Sequence, residues 1–261
     1  MPKILWLKLW GSILSKVLVI IIFVLLLTVS VFADTELFQQ ANDYYKQRDY
    51  SKAIELYKQI ESSEIESAAL YFNLGNAYFK NGDLGHAVLN YMKAKRIDPT
   101  DQDIQQNLEF AQRFSSVQME GVELNPITAF LTSIVENYKL NFLAWVSSFF
   151  FILFIVAITL RFALVYNNTL TRMFVVFSLV FLVIAGGLTT FKYRSDYLTK
   201  RAVIIAEDSK VFTGASEQSD VELEAAPGLV VEILSESTDY YQVLFENKRR
   251  GWIQKELVAE I

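Results

Sequence analysis

The glycines and the lysine of YFNLGNAYFKNGDLG, residues 71–85, are the first candidates for chemistry, because a glycine-rich loop with a lysine can bind phosphate. A P-loop has two glycines flanking four residues, followed by Lys and then Ser or Thr. Here Lys80 precedes Gly82 and no Ser or Thr is placed to bind Mg²⁺. Gly75, Gly82 and Gly85 also lack the spacing of a dinucleotide-binding loop. The stretch therefore does not indicate a nucleotide site.

Side chains of the catalytic and metal-binding types are scarce along the rest of the chain. The sequence of 261 residues contains no Cys and a single His, His86. Thiolate metal sites, disulfides, Cys nucleophiles and sites with two imidazoles are therefore excluded. A Ser-His-Asp triad would depend on His86, and no G-x-S-x-G nucleophile elbow accompanies it. We expect a protein that is not an enzyme and that holds no cofactor and no metal.

The same glycines fit a helical repeat. When the sequence is aligned with itself at an offset of 34 residues, small residues pair with small residues and tyrosines pair with tyrosines. The pairs are Ala41/Gly75, Tyr44/Tyr78, Ala53/Ala87 and Tyr57/Tyr91. Small residues let two antiparallel helices approach, Gly82 lies in the turn between them, and Pro99 ends the second helix. The pattern resembles the tetratricopeptide repeat (TPR). It predicts a TPR domain over 34–116, with repeats at 34–67 and 68–101 and a capping helix at 102–114.

This resemblance implies a concave protein-binding groove, lined by the first helix of each repeat. Its asparagines would hydrogen-bond the backbone of an extended peptide, and its aromatic rings would hold peptide side chains. The alternative is that the aromatic rings pack on a neighbouring helix. If the groove assignment holds, Asn76→Ala should leave folding nearly intact. The candidate residues are Phe38, Asn42, Tyr45 and Lys46 in the first repeat and Phe72, Asn73, Asn76, Phe79 and Lys80 in the second.

Three apolar segments predict association with a membrane, as does a composition that is 52 % hydrophobic. Residues 1–33 combine lysines, an apolar run and small residues before Ala33, as a secretory signal peptide does, the alternative being an uncleaved anchor helix. Segments 141–161 and 173–191 are long enough to be transmembrane helices. They form a hairpin joined by the short loop 162–172. Either reading of the N-terminus exports the chain that follows.

The orientation of this hairpin follows from the N-terminal segment and from Arg161 and Arg172, which place the loop in the cytoplasm. Basic residues after the second span then lie outside, against the positive-inside trend, and we expect them to meet lipid headgroups. They are Lys192, Arg194, Lys200 and Arg201. Within the linker 117–140, an amphipathic helix is predicted over 126–140. It lies in the membrane interface, packs on a partner or extends the first span.

Small residues at matching depth in the two spans predict where the helices touch. Ser147 or Ser148 should face Gly186 or Gly187, because helices in lipid associate largely through close approach at small residues. The alternative is that these glycines face lipid or another subunit.

Residues 200–261 read as a β-rich module. Short strand-like runs alternate with turn signals, and the five runs are AVIIA, KVFTG, GLVVEILSE, YYQVLFE and GWIQKELVAEI. They predict a small barrel. The order of these features and the Gly251-Trp252 pair resemble bacterial SH3-like domains. Tyr240, Tyr241 and Trp252 would form a peptide-binding or wall-binding surface, the alternative being that they pack in the core.

Both regions outside the predicted membrane spans are acidic, which bears on the class of partner. Residues 34–116 contain 9 basic and 13 acidic residues, a net charge of −4, and residues 195–261 contain 7 and 13, a net charge of −6. Nucleic acid requires a basic surface, so a nucleic-acid partner is not expected.

Taken together, the segments predict a multidomain membrane protein: an all-α tetratricopeptide-repeat solenoid, a two-helix transmembrane hairpin and a C-terminal all-β SH3-like barrel. This arrangement resembles the BatE-type family of the bacterial aerotolerance (Bat) operons. The resemblance implies von Willebrand A-domain Bat proteins and a MoxR-type ATPase system as partners in envelope stress tolerance. We expect a membrane-anchored scaffold in the bacterial inner membrane, with both domains on the periplasmic side. The alternative is a cell-wall sensor whose SH3-like domain binds peptidoglycan.

Overall fold

The computed structural model describes residues 35–63, 65–115, 126–163 and 168–261. The predicted signal peptide at 1–33 and linker residues 117–125 lie outside this part of the chain. The chain divides into two compact units, Met1–Glu66 and Ser67–Ile261.

The first unit contains a helical hairpin. Helix α1 covers residues 35–46 and helix α2 covers Tyr50–Glu61. Asp49 caps α2, its carboxylate accepting a hydrogen bond from the Lys52 main-chain N–H at 3.1 Å. Ala41 and Ala53 are fully buried, as close contact between two helices requires.

The second unit begins with three helices: α3, Ala68–Lys80; α4, Leu84–Ile97; and α5, Gln102–Phe114. Tyr71, Ala94 and Ile104, one from each helix, form a common buried cluster. At Gly75 a Cβ atom would lie 2.8 Å from the ring of Tyr91. The small residue therefore sets the close approach of α3 and α4, as the repeat pattern predicts.

Three apolar helices follow. They are α6, Pro126–Val135; α7, Leu140–Ile158, which continues as a π-helical turn over Thr159–Ala163; and α8, Thr169–Tyr193, which continues as a π-helical turn over Arg194–Leu198. Segments Leu140–Phe162 and Thr169–Leu198 are long and apolar enough to cross a membrane, and only 11 % of the most apolar window of each is buried. Their exposure is consistent with two membrane spans packed against each other.

The amphipathic helix predicted over 126–140 is shorter than expected. Helix α6 ends at Val135, and the extended backbone of Lys139 (φ −68°, ψ 141°) separates it from α7. Helix α6 is therefore a separate element that contacts α8, and the alternative that it extends the first span is wrong.

The C-terminal region is an antiparallel sheet of seven strands. They are β1, Arg201–Ile204; β2, Ser209–Phe212; β3, Val221–Ala225; β4, Val230–Glu236; β5, Tyr240–Leu244; β6, Arg250–Gln254; and β7, Val258–Glu260. Their order across the sheet is β3-β2-β6-β5-β4-β1-β7. Buried residues of all seven strands meet in one core cluster, so the sheet curves around it.

The sheet corrects the predicted five-stranded barrel in two respects. It has two further strands, and the edges β3 and β7 do not pair with each other, so it does not close. Strand β3 carries Glu222 and Glu224, and β7 has only three residues. Charge and shortness suit edge strands because they discourage further pairing. The charges of β3 kept it out of the predicted runs, whereas β7 lies within the last of them, GWIQKELVAEI.

Helix α4 packs directly on this sheet. A Cβ atom at Gly85 would lie 2.5 Å from Ile205 Cα and 2.7 Å from Ile205 O, just beyond the end of β1. On the other side of the contact, Gly228 adopts a φ of 86° in the turn before β4, beside Val88 and Leu84 of α4. The side chain of Arg96 donates a hydrogen bond to the main-chain oxygen of Ile261 at 2.9 Å. Helices α3–α5 and the sheet are thus in direct contact.

Candidate protein-binding surface

A group of aromatic rings open to solvent lies where α3 and α5 meet. Phe79 of α3 packs against Phe110 and Phe114 of α5, with ring centroids 5.7 and 5.8 Å away, and the latter two rings are 5.1 Å apart. We call these three residues the aromatic triad. Phe110 is 48 % exposed and Phe114 is 55 % exposed. Apolar rings held against each other yet open to solvent are suited to bind an apolar side chain.

The helix geometry explains why the triad is exposed. Ile104, Leu108 and Ala111 form the buried side of α5. Phe110 and Phe114 are four residues apart and therefore share another face, one turn above the other. Lys80 is exposed next to Phe79 at the end of α3.

Two other predicted groove residues of α3 serve the repeat itself. Asn76 Oδ1 accepts a hydrogen bond from the Tyr91 hydroxyl at 2.7 Å. Phe72 is half-buried, with its ring centroid 6.0 Å from that of Tyr91, and it packs on the core of α3–α5. Asn73 is also half-buried. For Phe72, packing on the neighbouring helix is therefore the better description.

The predicted groove residues of the first repeat belong to the first unit. Phe38 packs edge-on against Tyr57 at 5.8 Å, and Asn42 Oδ1 accepts a hydrogen bond from the Tyr57 hydroxyl at 2.6 Å. Tyr45 packs edge-on against a neighbouring tyrosine in the same hairpin, and burial raises the pKa of its hydroxyl. Lys46 is exposed and forms an ion pair of 3.0 Å with a carboxylate three residues earlier in α1.

The aromatic surface predicted on the sheet is only partly available. Tyr240 is buried and packs edge-on against Phe212. The Tyr241 hydroxyl donates to a Glu260 carboxylate oxygen at 2.7 Å, and this hydrogen bond, with burial and the negative charge of Glu260, raises its pKa. Trp252 is half-buried and belongs to β6, which pairs with β2 on one side and β5 on the other. The three rings do not share one face of the sheet, because Tyr241 packs against the core cluster whereas Tyr240 and Trp252 lie on the opposite face.

The single histidine has a structural position. His86 Nδ1 lies 2.8 Å from the carboxylate of Asp83, the N-cap of α4, and its ring stacks on Tyr78 at 4.9 Å. Burial by itself would raise the pKa of Asp83, but hydrogen bonds from the ring and the main-chain N–H of His86 outweigh it and hold the pKa below its ordinary value.

Comparison with known families agrees with the geometry of α3 and α4. Residues 68–101 match the tetratricopeptide repeat. The match covers the second of the two predicted repeats and ends at Asp101, the cap of α5. No curated protein matches the chain. The repeat indicates interaction with other proteins.

Phe110 and Phe114 were not among the residues predicted from the sequence. The sequence predicted only a capping helix over 102–114, with no binding residue on it. The signal that could have found the triad is the pair of phenylalanines four residues apart on the other face of this helix.

Proposed function

We propose that the protein is a non-enzymatic, membrane-anchored scaffold that binds a protein partner through the aromatic triad. The observation that carries the proposal is the exposure of Phe110 and Phe114 of α5 beside Phe79, which belongs to a helical hairpin that matches a protein-interaction repeat. A partner peptide would bury apolar side chains against these rings. Aromatic residues at the centre of an interface commonly contribute most of its affinity.

The contact between α4 and β1 supports the membrane hairpin. Because these two elements touch, the chain must return to its starting side between them, as two spans require. The acidic repeat region and the acidic sheet therefore share one side. We place that side outside the cytoplasm, because the N-terminal segment resembles a signal peptide and Arg161 and Arg172 flank the short loop.

The resemblance to the BatE-type family supports a finer proposal about the partner. It suggests a von Willebrand A-domain membrane protein, working with a MoxR-type ATPase system in the bacterial inner membrane. Such a partner would meet the triad at the outer face of that membrane.

Site-specific photocrosslinking in intact membranes tests the binding surface. A photoreactive phenylalanine analogue in place of Phe110 should form a covalent adduct with one partner protein, identified by mass spectrometry. The matched control carries the analogue at Glu109, which is exposed on the adjacent face of α5. Phe114→Ala should reduce the adduct at position 110 several-fold. Equal adducts from positions 109 and 110, or an adduct indifferent to Phe114→Ala, would exclude the triad as the binding surface.

A further inference from the structure

A cavity of about 140 Å³ lies where helix α8 ends. The end of α4, helix α6, the π-helical turn after α8, the first residue of β1 and Ile261 surround it. Helix α8 reaches it with Lys192, and α6 lies beside α8. If α7 and α8 cross a membrane, the cavity lies at the level of the lipid headgroups.

The cavity is lined by more cationic than anionic side chains. Its lining includes Lys95, Arg96, Lys192 and Arg201, against Glu136 and Asp196. Each of the two lysines is paired with one of these carboxylates: Lys95 with Glu136, and Lys192 with Asp196 at 3.1 Å.

The two arginines instead bond to oxygen atoms outside the Asp and Glu side chains. Arg201 donates to Ser195 Oγ at 3.0 Å, and Arg96 donates to the main-chain oxygen of Ile261 at 2.9 Å. Within the described ranges neither arginine forms an ion pair with an Asp or Glu side chain. The main-chain N–H of Ile261 donates to the carbonyl of Arg201 at 3.0 Å, so one residue links the two.

Lys192 shows that the site tolerates charge away from water. Its side chain is only 9 % exposed and that of Asp196 is 19 % exposed. A buried ion pair requires further polar partners or a ligand to offset the loss of hydration. A planar guanidinium presents a fork of donors that matches two oxygens of a phosphate.

We propose that this cavity binds a phosphate group, supplied by the headgroup of an anionic phospholipid, with Arg201 and Arg96 as the principal donors. The position at the end of α8 favours a lipid over a soluble phosphate, because acyl chains can lie along the exposed apolar surface of the helix. The lipid would also brace α4, α6 and β1 against the end of the second span.

Native mass spectrometry of the full chain in detergent, titrated with phosphatidylglycerol, measures this binding. Arg201→Gln should weaken the lipid adduct roughly tenfold or more, as expected for loss of a hydrogen bond to a charged group. Arg250→Gln, which removes an exposed cation of β6, is the matched control and should bind as the unaltered chain does. Thermal unfolding without lipid checks that each variant is folded. Arg201→Lys, which keeps the charge but loses the fork, should weaken the adduct several-fold and serves if Arg201→Gln does not fold.

Two further ligands separate the possible sources of affinity. Diacylglycerol, which lacks the phosphate, should form no specific adduct. Glycerol phosphate, which lacks acyl chains, should bind at least roughly tenfold more weakly than phosphatidylglycerol, since it buries no apolar surface. Equal binding of diacylglycerol, or binding unchanged in both Arg201 variants, would overturn the phosphate site. Glycerol phosphate binding as tightly as phosphatidylglycerol would overturn the lipid as its source.

Discussion

The hydroxyl of Tyr91 donates a hydrogen bond of 2.7 Å to Asn76 Oδ1, joining the two helices of the matched repeat. The first hairpin contains the same arrangement, in which the Tyr57 hydroxyl donates to Asn42 Oδ1 at 2.6 Å. In each case the tyrosine lies 15 residues after the asparagine. The side-chain oxygens of both asparagines, predicted to bind a peptide backbone, therefore serve the internal packing of each hairpin.

Asn76→Ala is accordingly expected to destabilise the protein, contrary to the expectation from the groove assignment alone. The substitution leaves the hydroxyl of Tyr91, a nearly buried residue, without its acceptor, which costs about 1–3 kcal/mol. Thermal unfolding of the full chain in detergent should show a lower midpoint.

A double-mutant cycle provides the control. Tyr91→Phe removes the hydroxyl and retains the ring beside Gly75, so the double variant Asn76→Ala/Tyr91→Phe should lose less than the sum of the two single changes. Strictly additive effects would show that the hydrogen bond does not contribute to stability.

Gly85→Ala should weaken the contact between α4 and the sheet. The new Cβ atom would lie 2.5 Å from Ile205 Cα, and a backbone neighbour cannot rotate away as a flexible side chain can. We expect a loss of about 1–3 kcal/mol, as for other overpacked contacts. Gly187→Ala in α8 is the control, because a Cβ atom there meets nothing within 4 Å. Similar midpoints of thermal unfolding for the two variants would exclude a tight α4–β1 contact.

The helical repeat was predictable because its signal is local. Gly75 lies against Tyr91 and the main chain of Ala87 in the partner helix, and the match of residues 68–101 confirms the repeat. The docking of α4 on the sheet was not predictable. Gly85 and Ile205 are far apart in sequence, and a glycine near a turn signals a local bend before it signals a distant contact.

The contact between the two predicted membrane spans could not be predicted from the sequence either. Depth along a helix follows from counting residues, which placed Ser147 level with Gly186 and Gly187. The direction in which a residue faces changes by about 100° with each position, so a small error in register points a side chain elsewhere. In the structure a Cβ at either glycine meets nothing within 4 Å, and Ser147 lies against Thr189 instead. The predicted serine–glycine contact is wrong.

Acid should destabilise the repeat through Asp83. Its folded-state pKa is depressed below the ordinary value of 3.8, because hydrogen bonds from His86 outweigh the effect of burial. A depressed carboxylate pKa gives stability that is present above the ordinary value and lost as the pH falls through the folded value. Asp83→Asn should therefore lower the midpoint of thermal unfolding at pH 6, with the difference from the unaltered chain shrinking towards pH 3. His86→Phe removes the hydrogen-bond donor but can still stack on Tyr78. It should likewise lower the midpoint of thermal unfolding at pH 6, with a difference that shrinks towards pH 3. A difference that stays constant down to pH 3 would contradict the role of this pair.

The contact between α7 and α8 can be tested without any assumption about the partner protein. Ser147 Oγ lies 2.8 Å from Thr189 Oγ1, so the two helices meet at hydrogen-bonding distance there. The natural chain has no cysteine, and introduced thiols are therefore clean probes. The double variant Ser147→Cys/Thr189→Cys should form a disulfide within one chain upon mild oxidation in membranes. Ser147→Cys/Gly187→Cys is the control and should form little, because two residues of helix turn position 187 to the opposite side. Oxidised bands at monomer size for the first pair alone support the contact. Bands only at dimer size would assign these positions to an interface between two copies of the chain.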